Sequence, residues 1–282
     1  MQKNTVEPKR ISVAIVGCGT VGGGTARLII ENQDHFRRIA GVDLSIAWLV
    51  DKDFSHARSL GLPENLFCTD LDKALADPKV DVIIELVGGT GFAKDLFTRS
   101  LKAGKHVVTA NKALLAHHGP ELFALARAQG KTIGFEASCG GGIPIIRALY
   151  DGLLANRIQA LYGIVNGTCN FILSQMGGKG QAYADALKDA QAAGYAEADP
   201  TLDVGGGDSA HKIGILANLA FGVDIRHEDI SVRGIDTLQV TDVNAGADLG
   251  YVIKLIAQAQ RTAAGVFVRV EPSFISREHP LA

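Results

Sequence analysis

Long apolar runs are missing from this 282-residue sequence. The opening MQKNTVEPKR is polar, and the run after it, ISVAIV, is too short for the apolar core of a signal segment or for a membrane span. Blocks of basic charge are missing as well. Lys and Arg number 28 against 30 Asp and Glu, a net charge of −2, which points away from nucleic acid and from an anionic membrane surface. Cysteine is scarce. Cys18, Cys68, Cys139 and Cys169 are widely spaced, with no CxxC pair and no histidines at zinc spacing, so they read as reduced thiols of a cytoplasmic protein. There is no internal repeat and no low-complexity segment. What is present is apolar residue in quantity: 47% hydrophobic against 21% charged excludes disorder and supplies a core for two ordinary domains or one large one. Glycine, at 33 residues, favours a fold with many tight strand-to-helix turns.

From Ile11 to about Glu136, short apolar runs alternate with longer amphipathic ones. Strands are expected at Ile11–Val16, Ser45–Val50, Val80–Leu86, Lys105–Thr109 and Lys131–Glu136, with helices such as Gly91–Lys102 and Pro120–Gln129 between them. Gly104 and Gly130 stand where those helices should stop. Strands apolar throughout and separated by helices imply a parallel sheet covered on both faces, an α/β fold. The rhythm changes after SCGGGIP. A helix near Ile143–Leu154, a strand near Ile158–Val165 and helices near Thr168–Met176, Ala182–Ala193 and Ser209–Phe221 follow, and a hairpin closes around RTAAG. The division is therefore expected between 140 and 141, with an α/β domain over 1–140 and an α+β domain over 141–282.

The first strand runs directly into GCGTVGGG. A GxGxxG pattern alone is weak evidence; between strand one and helix one it gains weight. Gly17 permits the tight turn, Gly19 lets backbone approach a pyrophosphate, and Gly22 lets helix pack close on strand. The helix start then offers unpaired N–H groups and partial positive charge to the anion, so Thr20 and Val21 join the glycines as candidate cofactor contacts. A merely compact turn would leave Gly23 and Gly24 unexplained, since each glycine costs a helix interior about 1 kcal/mol. At the end of strand two, WLVDKD offers two opposed discriminators. Asp51 could accept from both ribose hydroxyls and favour NAD; Lys52 could neutralise a 2′-phosphate and favour NADP. Asp51 lies further past the turn than the usual interval of about 20 residues, and ENQDHFRRIAGVD is the longer connection responsible. After strand three, ELVGG brings Gly88 and Gly89 to the same cleft; after strand four, TANK brings Lys112.

The stretch EADPTLDVGGGDSAHK gathers Glu197, Asp199, Asp203 and Asp208 around three glycines and sets Lys212 four residues after Asp208. Asp208 and Lys212 then share one helix face. A solvated helix start with an acid for its dipole would account for Asp208 alone. A pocket for a small charged molecule accounts for the rest, because a cationic ligand and a lysine offset the repulsion.

Taken in order, GCGTVGGG, ELVGG, GKHVVTANK, FEASCGGGIPII, GIVNGTCNFIL and AQAAGYAEADPTLDVGGGDSAHKIGILANLAFG make the chain resemble homoserine dehydrogenase over nearly its whole length. That family interconverts L-homoserine and L-aspartate 4-semialdehyde with NAD or NADP, in the biosynthesis of threonine, methionine and isoleucine. The resemblance implies that Lys212 exchanges a proton with the alcohol oxygen, that Asp208 supports it and Glu197 binds the amino acid, with Asp203 in the same acidic loop. It implies further that Lys112 lies near cofactor and substrate, that Gly194 contacts the cofactor, and that Glu136, Cys139, Gly141 and Ile143 ligate a sodium-like cation, mostly through main-chain carbonyls. Where the family usually has Val, this chain has Cys139. A homodimer or homotetramer is expected. Family chains usually continue past EHPLA, so a chain truncated at its C-terminus is also expected. Two rivals stand beside this reading. Another Rossmann oxidoreductase on an amino-acid-derived aldehyde, such as aspartate-semialdehyde dehydrogenase, would need a cysteine nucleophile, for which Cys139 is the candidate. A dinucleotide-sensing module without turnover would have no need of Lys212.

Overall fold

Lys9–Val16 forms β1, and its last four residues are all buried, Val13 and Ile15 into one apolar cluster and Ala14 and Val16 into another. A strand apolar on both sides needs cover on both sides, which a helical layer on each face supplies. The computed structural model describes residues 7–282, and contacts divide it into two units, the division falling between Ser138 and Cys139.

In the first unit β1 is central. It pairs with β2 (Val42–Val50), which pairs with β3 (Phe67–Cys68); on its other side it pairs with β4 (Val82–Glu85), followed by β5 (His106–Thr109) and β6 (Ile133–Gly134). Every pairing is parallel, and the strand order is β3-β2-β1-β4-β5-β6. This is the doubly wound order, whose direction reverses between β1 and β4, and ligands of such sheets bind outside the carboxyl ends at that reversal. Gly17, Asp51, Val87–Gly89 and Asn111 all follow the carboxyl ends of strands.

Several elements depart from the sequence expectation. The first helix is Thr20–Glu31, so Gly22, Gly23 and Gly24 lie inside it. A Cβ on Gly23 would sit 2.8 Å from Leu60 Cδ1 and 3.1 Å from the His56 ring, so the helix is closely packed there and a side chain would have to push Leu60 aside; nothing in the structure explains Gly24. The long connection to β2 is a second helix, Gln33–Ala40, closed by the left-handed Gly41. The helix expected from Pro120 begins at Lys112 and carries Pro120 within it, because the Asn111 side chain caps it by accepting from the Leu114 N–H. Lys112 is thus a first-turn residue, not a loop residue. β6 is two residues long, shorter than expected.

The second unit is a four-stranded sheet in the order β7-β9-β10-β8, with β7 Ala160–Gly163, β8 Ser231–Val232, β9 Tyr251–Thr262 and β10 Gly265–Ser276. β9 and β10 form the antiparallel hairpin, β7 joins β9 antiparallel and β8 joins β10 parallel. Ile253, Leu255, Ala257 and Ala259 alternate along β9 into one core with Ile172 and Met176 of the helix Gly167–Lys179 and Ala210, Ile213 and Ala217 of the helix Gly207–Phe221. The single helix expected at Ile143–Leu154 is instead the short helix Ile145–Arg147 followed by a wider turn, Ala148–Gly152. Ile172 is fully buried. Ile172→Ala should therefore cost about 2–5 kcal/mol of stability, read as a lower midpoint of chemical unfolding.

Candidate functional site

The glycine turn is shaped by steric need. Gly17 has φ 97°, in the left-handed region, and a Cβ there would stand 2.7 Å from the Leu86 carbonyl and 2.9 Å from the Val87 nitrogen. A Cβ on Gly22 would stand 1.7 Å from the Gly17 carbonyl oxygen, so helix and turn touch backbone to backbone. Gly19 differs: it has φ −69° and nothing lies within 4 Å of where its Cβ would be. The helix start has no side-chain cap and no acid in its first turn. Open space beside uncapped N–H groups is a fit for an anion.

Next to the turn is a cavity of roughly 310 Å³, bordered by Val16, Val50, Asp51, Lys52, Val87 and Phe92 among others. Asp51 holds the base of this cleft together: its carboxylate accepts from the main-chain N–H groups of Cys18, of Lys52 at 2.6 Å and of Asp53 at 3.3 Å. Lys52 is exposed. Burial and the neighbouring Asp51 charge push the Cys18 thiol up to about 12.

A buried carboxylate orders the loops after β4 and β5, and sequence reasoning passed over it. Glu85 has no exposure; its Oε1 accepts from the Val87 and Gly88 N–H groups, each at 3.0 Å, and its Oε2 from the Thr109 hydroxyl at 2.6 Å. The Thr109 hydroxyl accepts in turn from the Asn111 N–H, and the Asn111 amide donates to the Gly89 carbonyl at 2.7 Å. Gly88 and Gly89, both left-handed, and Lys112 are therefore held by one network. The signal available was the acid itself, a Glu ending an otherwise apolar strand.

In the second unit the helix Gly207–Phe221 begins at Gly206, whose φ of 86° is again left-handed. Asp208 is 4% exposed in its first turn. The Lys212 ammonium donates to Asp208 Oδ2 at 2.7 Å and to the Val165 carbonyl at 2.7 Å, so the pair four residues apart does close on one face. The four acids do not form one cluster. Asp203 is drawn to Asp208 through a shared donor, the Asn166 amide, at 2.7 and 2.8 Å. Asp199 turns back on Thr201, accepting from its N–H and hydroxyl, and those bonds hold its carboxyl below the usual range. Glu197 is exposed, and its carbonyl accepts from the Gln191 amide. Gly194, with φ 77°, follows the helix Tyr183–Ala192, and its N–H returns to the Gln191 carbonyl. Tyr195, next to it, stacks on Phe171 at 4.8 Å, and its carbonyl accepts from the Thr168 hydroxyl.

The stretch proposed to hold a cation runs from the turn Glu136–Ser138 in the first unit to Ile143 in the second. Gly140 and Gly142 are left-handed, and the Ile143 N–H donates to the Gly140 carbonyl at 2.7 Å. Cys139 is 2% exposed, with its Sγ 3.8 Å from the Lys212 carbonyl, a poor setting for a nucleophile that must reach a substrate.

Two family models match the chain: the homoserine dehydrogenase NAD-binding domain over residues 17–136 and homoserine dehydrogenase over 144–282. The homoserine dehydrogenase of Neisseria gonorrhoeae is 45% identical over 97% of this chain. The chain belongs to the homoserine dehydrogenase family. It spans 63% of that Neisseria protein. The crystal structure of a homoserine dehydrogenase from Thiobacillus denitrificans matches with a TM-score of 0.91 at 45% identity, covering 96% of this chain and 63% of that one. A hyperthermophilic archaeal homoserine dehydrogenase in complex with NADPH matches with a TM-score of 0.79 at 26% identity, covering 96% of this chain and 84% of that one. The doubly wound sheet and the second mixed domain are thus the family's fold.

The two glycines of the turn separate packing from ligand approach. Gly19→Val should leave the melting temperature nearly unchanged and abolish dinucleotide binding in a calorimetric titration. Gly22→Ala should instead destabilise by about 1–3 kcal/mol or more, because its methyl overlaps the Gly17 carbonyl.

The cysteines give an alkaline signature. Cys169 is fully buried among carboxylates, and burial first, then Asp203, Asp208 and Asp236, push its thiol up to about 12 from 9.0. A raised folded-state pKa means the neutral thiol costs nothing below the unfolded value, while stability is lost as pH rises from 9 toward 12. Unfolding midpoints measured from pH 8 to 11 should fall along that limb, and Cys169→Ala should make the fall shallower, leaving the share that Cys18 contributes.

Proposed function

We propose that the chain is the catalytic part of a homoserine dehydrogenase, interconverting L-homoserine and L-aspartate 4-semialdehyde with NAD or NADP. The observation that carries the reading is Lys212, an ammonium with two of its three protons committed, to Val165 and Asp208, and the third left to meet an oxygen of the substrate. The first unit would hold the dinucleotide: Gly17, Gly19, Thr20, Val21 and Gly22 at the pyrophosphate, Asp51 or Lys52 at the ribose, and Gly88, Gly89 and Lys112 along the nicotinamide side. When bound, the nicotinamide supplies or accepts the hydride. The chain's own work is then proton handling and orientation. Glu197, exposed and charged, would take the substrate ammonium, with Asp203 beside it in the same loop. Lys212, protonated, donates to the aldehyde oxygen during reduction; neutral, it takes the hydroxyl proton during oxidation, and Asp208 fixes its position in both directions. Gly194 would also contact the cofactor.

A sodium-like cation at Glu136, Cys139, Gly141 and Ile143 belongs to the same proposal, supported by the hard main-chain oxygens of that glycine-rich turn. So does assembly as a homodimer or homotetramer. The helices of the second unit's core pack on one face of its sheet, while the other presents Tyr162 and Phe267, both exposed, around an Arg269 that stacks on Phe267 and pairs with Glu271. A cytoplasmic setting is supported by four free thiols, and among the described residues no helix is long and apolar enough to cross a membrane.

The test is a spectrophotometric assay with L-homoserine and each nicotinamide cofactor in turn. Reduction of NAD or NADP should appear with homoserine and be lost by about 10²–10⁴-fold in kcat in Lys212→Ala, with cofactor affinity nearly unchanged. Wild-type turnover in Lys212→Ala would pass the role to Lys112. Absence of turnover in the wild type, with dinucleotide binding intact, would favour a sensing module.

A further inference from the structure

Asn166 is 5% exposed and sits at the end of the segment that leads from β7 into the helix Gly167–Lys179. Its side chain is fully used. The oxygen accepts from the Cys169 N–H at 2.8 Å, capping that helix. The nitrogen donates one proton to Asp203 Oδ1 at 2.7 Å and the other to Asp208 Oδ2 at 2.8 Å. The amide's orientation follows from chemistry: ionised carboxylates cannot donate, so they must face the NH₂, and a main-chain N–H must face the oxygen. The residue before it, Val165, supplies the carbonyl that accepts from Lys212. Two adjacent residues thus set both ends of the Asp208–Lys212 pair.

We propose that Asn166 is a positioning residue for Lys212: its amide clamps Asp203 against Asp208, which fixes the oxygen to which the lysine is bound. The proposal rests on Lys212 being the proton-exchanging group. Asp208 Oδ2 receives Asn166 and Lys212 together, so the amide decides where that oxygen stands, and that oxygen with the Val165 carbonyl decides where the ammonium stands. The clamp also answers an electrostatic problem. Asp203 and Asp208 are like charges brought to one donor, with Asp236 and the Cys169 thiol in the same neighbourhood and Lys212 the cation facing them. A neutral double donor between the two carboxylates lowers their mutual repulsion without adding a second cation to compete with Lys212. Neither Gln, which is longer, nor Ser, which has one proton, reproduces it.

Asn166→Asp separates capping from clamping, because Asp caps a helix as well as Asn does, but a carboxyl crowded against Asp203 and Asp208 holds at most one proton and can join only one of them. The variant should fold, and its kcat should fall by about 10–100-fold, the equivalent of one hydrogen bond to a charged group. The limb of the pH–rate profile for homoserine oxidation that reports the lysine should move up by about 1–3 pH units once the proton shared by the three crowded carboxyls has left and the added charge stabilises the ammonium. Asn166→Ser, which keeps a capping oxygen and adds no charge, should lose kcat without that upward move. Titration of Lys212 by NMR of lysine labelled at Cε needs no turnover, so it decides the matter even if the wild type does not oxidise homoserine. A Lys212 titration that moves in Asn166→Ser, which adds no charge, with an inactive wild type would sustain the clamp and sink the dehydrogenase reading. Unchanged kcat and an unchanged Lys212 titration in a folded Asn166→Asp would show that the residue only caps its helix, and the proposal would fail. If Asn166→Asp does not fold, Asn166→Ser alone decides: wild-type kcat in it overturns the proposal.

Discussion

A carboxylate taken out of water is expensive unless its oxygens are met, and Asp208 is almost wholly out of water. The second unit is arranged around meeting it. Lys212 supplies a charge from one turn further along the helix, Asn166 supplies a neutral donor from another element, and Asn166 ties Asp203 into the same arrangement. Burying an ion pair seldom stabilises a fold by itself, since desolvation consumes most of the attraction. A pair kept in that state, rather than replaced by apolar residues, fits a site where the charge has work to do.

Reaching that geometry constrains the surrounding chain, and here the glycine triplet finds its reason. The short helix Thr201–Val204 must run close against the start of Gly207–Phe221 for Asp203 to reach the Asn166 amide. A Cβ on Gly205 would stand 2.7 Å from the Thr201 carbonyl, one on Gly207 would stand 2.8 Å from Leu202, and Gly206 must be left-handed. Gly234 is packed as tightly, its Cβ position 2.3 Å from the Val204 carbonyl. The glycines are therefore packing residues of the acid pair as much as turn residues, which a flexible loop would not have required. The first unit solves a related problem with Glu85, a fully buried acid met by three donors, two of them main-chain N–H groups of the very loop it shapes.

Much of this was legible in the residues alone. Strands of the first unit announced themselves as short apolar runs, and Asp208 and Lys212 declared a shared face by spacing. Their partners did not, because spacing in one element says nothing about another. Asn166 caps its helix, and its bonds to the acids depend on Asp203 and Asp208, which lie 37 and 42 residues further on. The packing around Gly23 was hidden for the same reason, since the neighbours that crowd it, His56 and Leu60, belong to a later helix and turn. The early start of the helix at Lys112 was hidden by Pro120, which favours a helix start but here lies inside a helix already capped by Asn111. Two-residue strands such as β3 and β8 leave no periodicity to read.

The acids divide by burial, and burial assigns them different capacities. Asp208 and Asp203 are bound to donors of the chain itself, so a substrate ammonium would have to displace or share a hydrogen bond to reach them. Asp199 is turned onto Thr201. Glu197 is exposed, and the bonds that fix its segment fall on its main chain: the Gln191 amide on its carbonyl, and on one side of it the helix end at Gly194. Its backbone is anchored while its carboxylate stays in water. A group that must take up a cation and release it again is better served by such a carboxylate, because the exchange is water for ligand and strands no buried charge. A proton-exchanging lysine has the opposite requirement. In the role proposed for Lys212 it would have to stand in one place through both halves of the reaction, and its two acceptors come from separate elements.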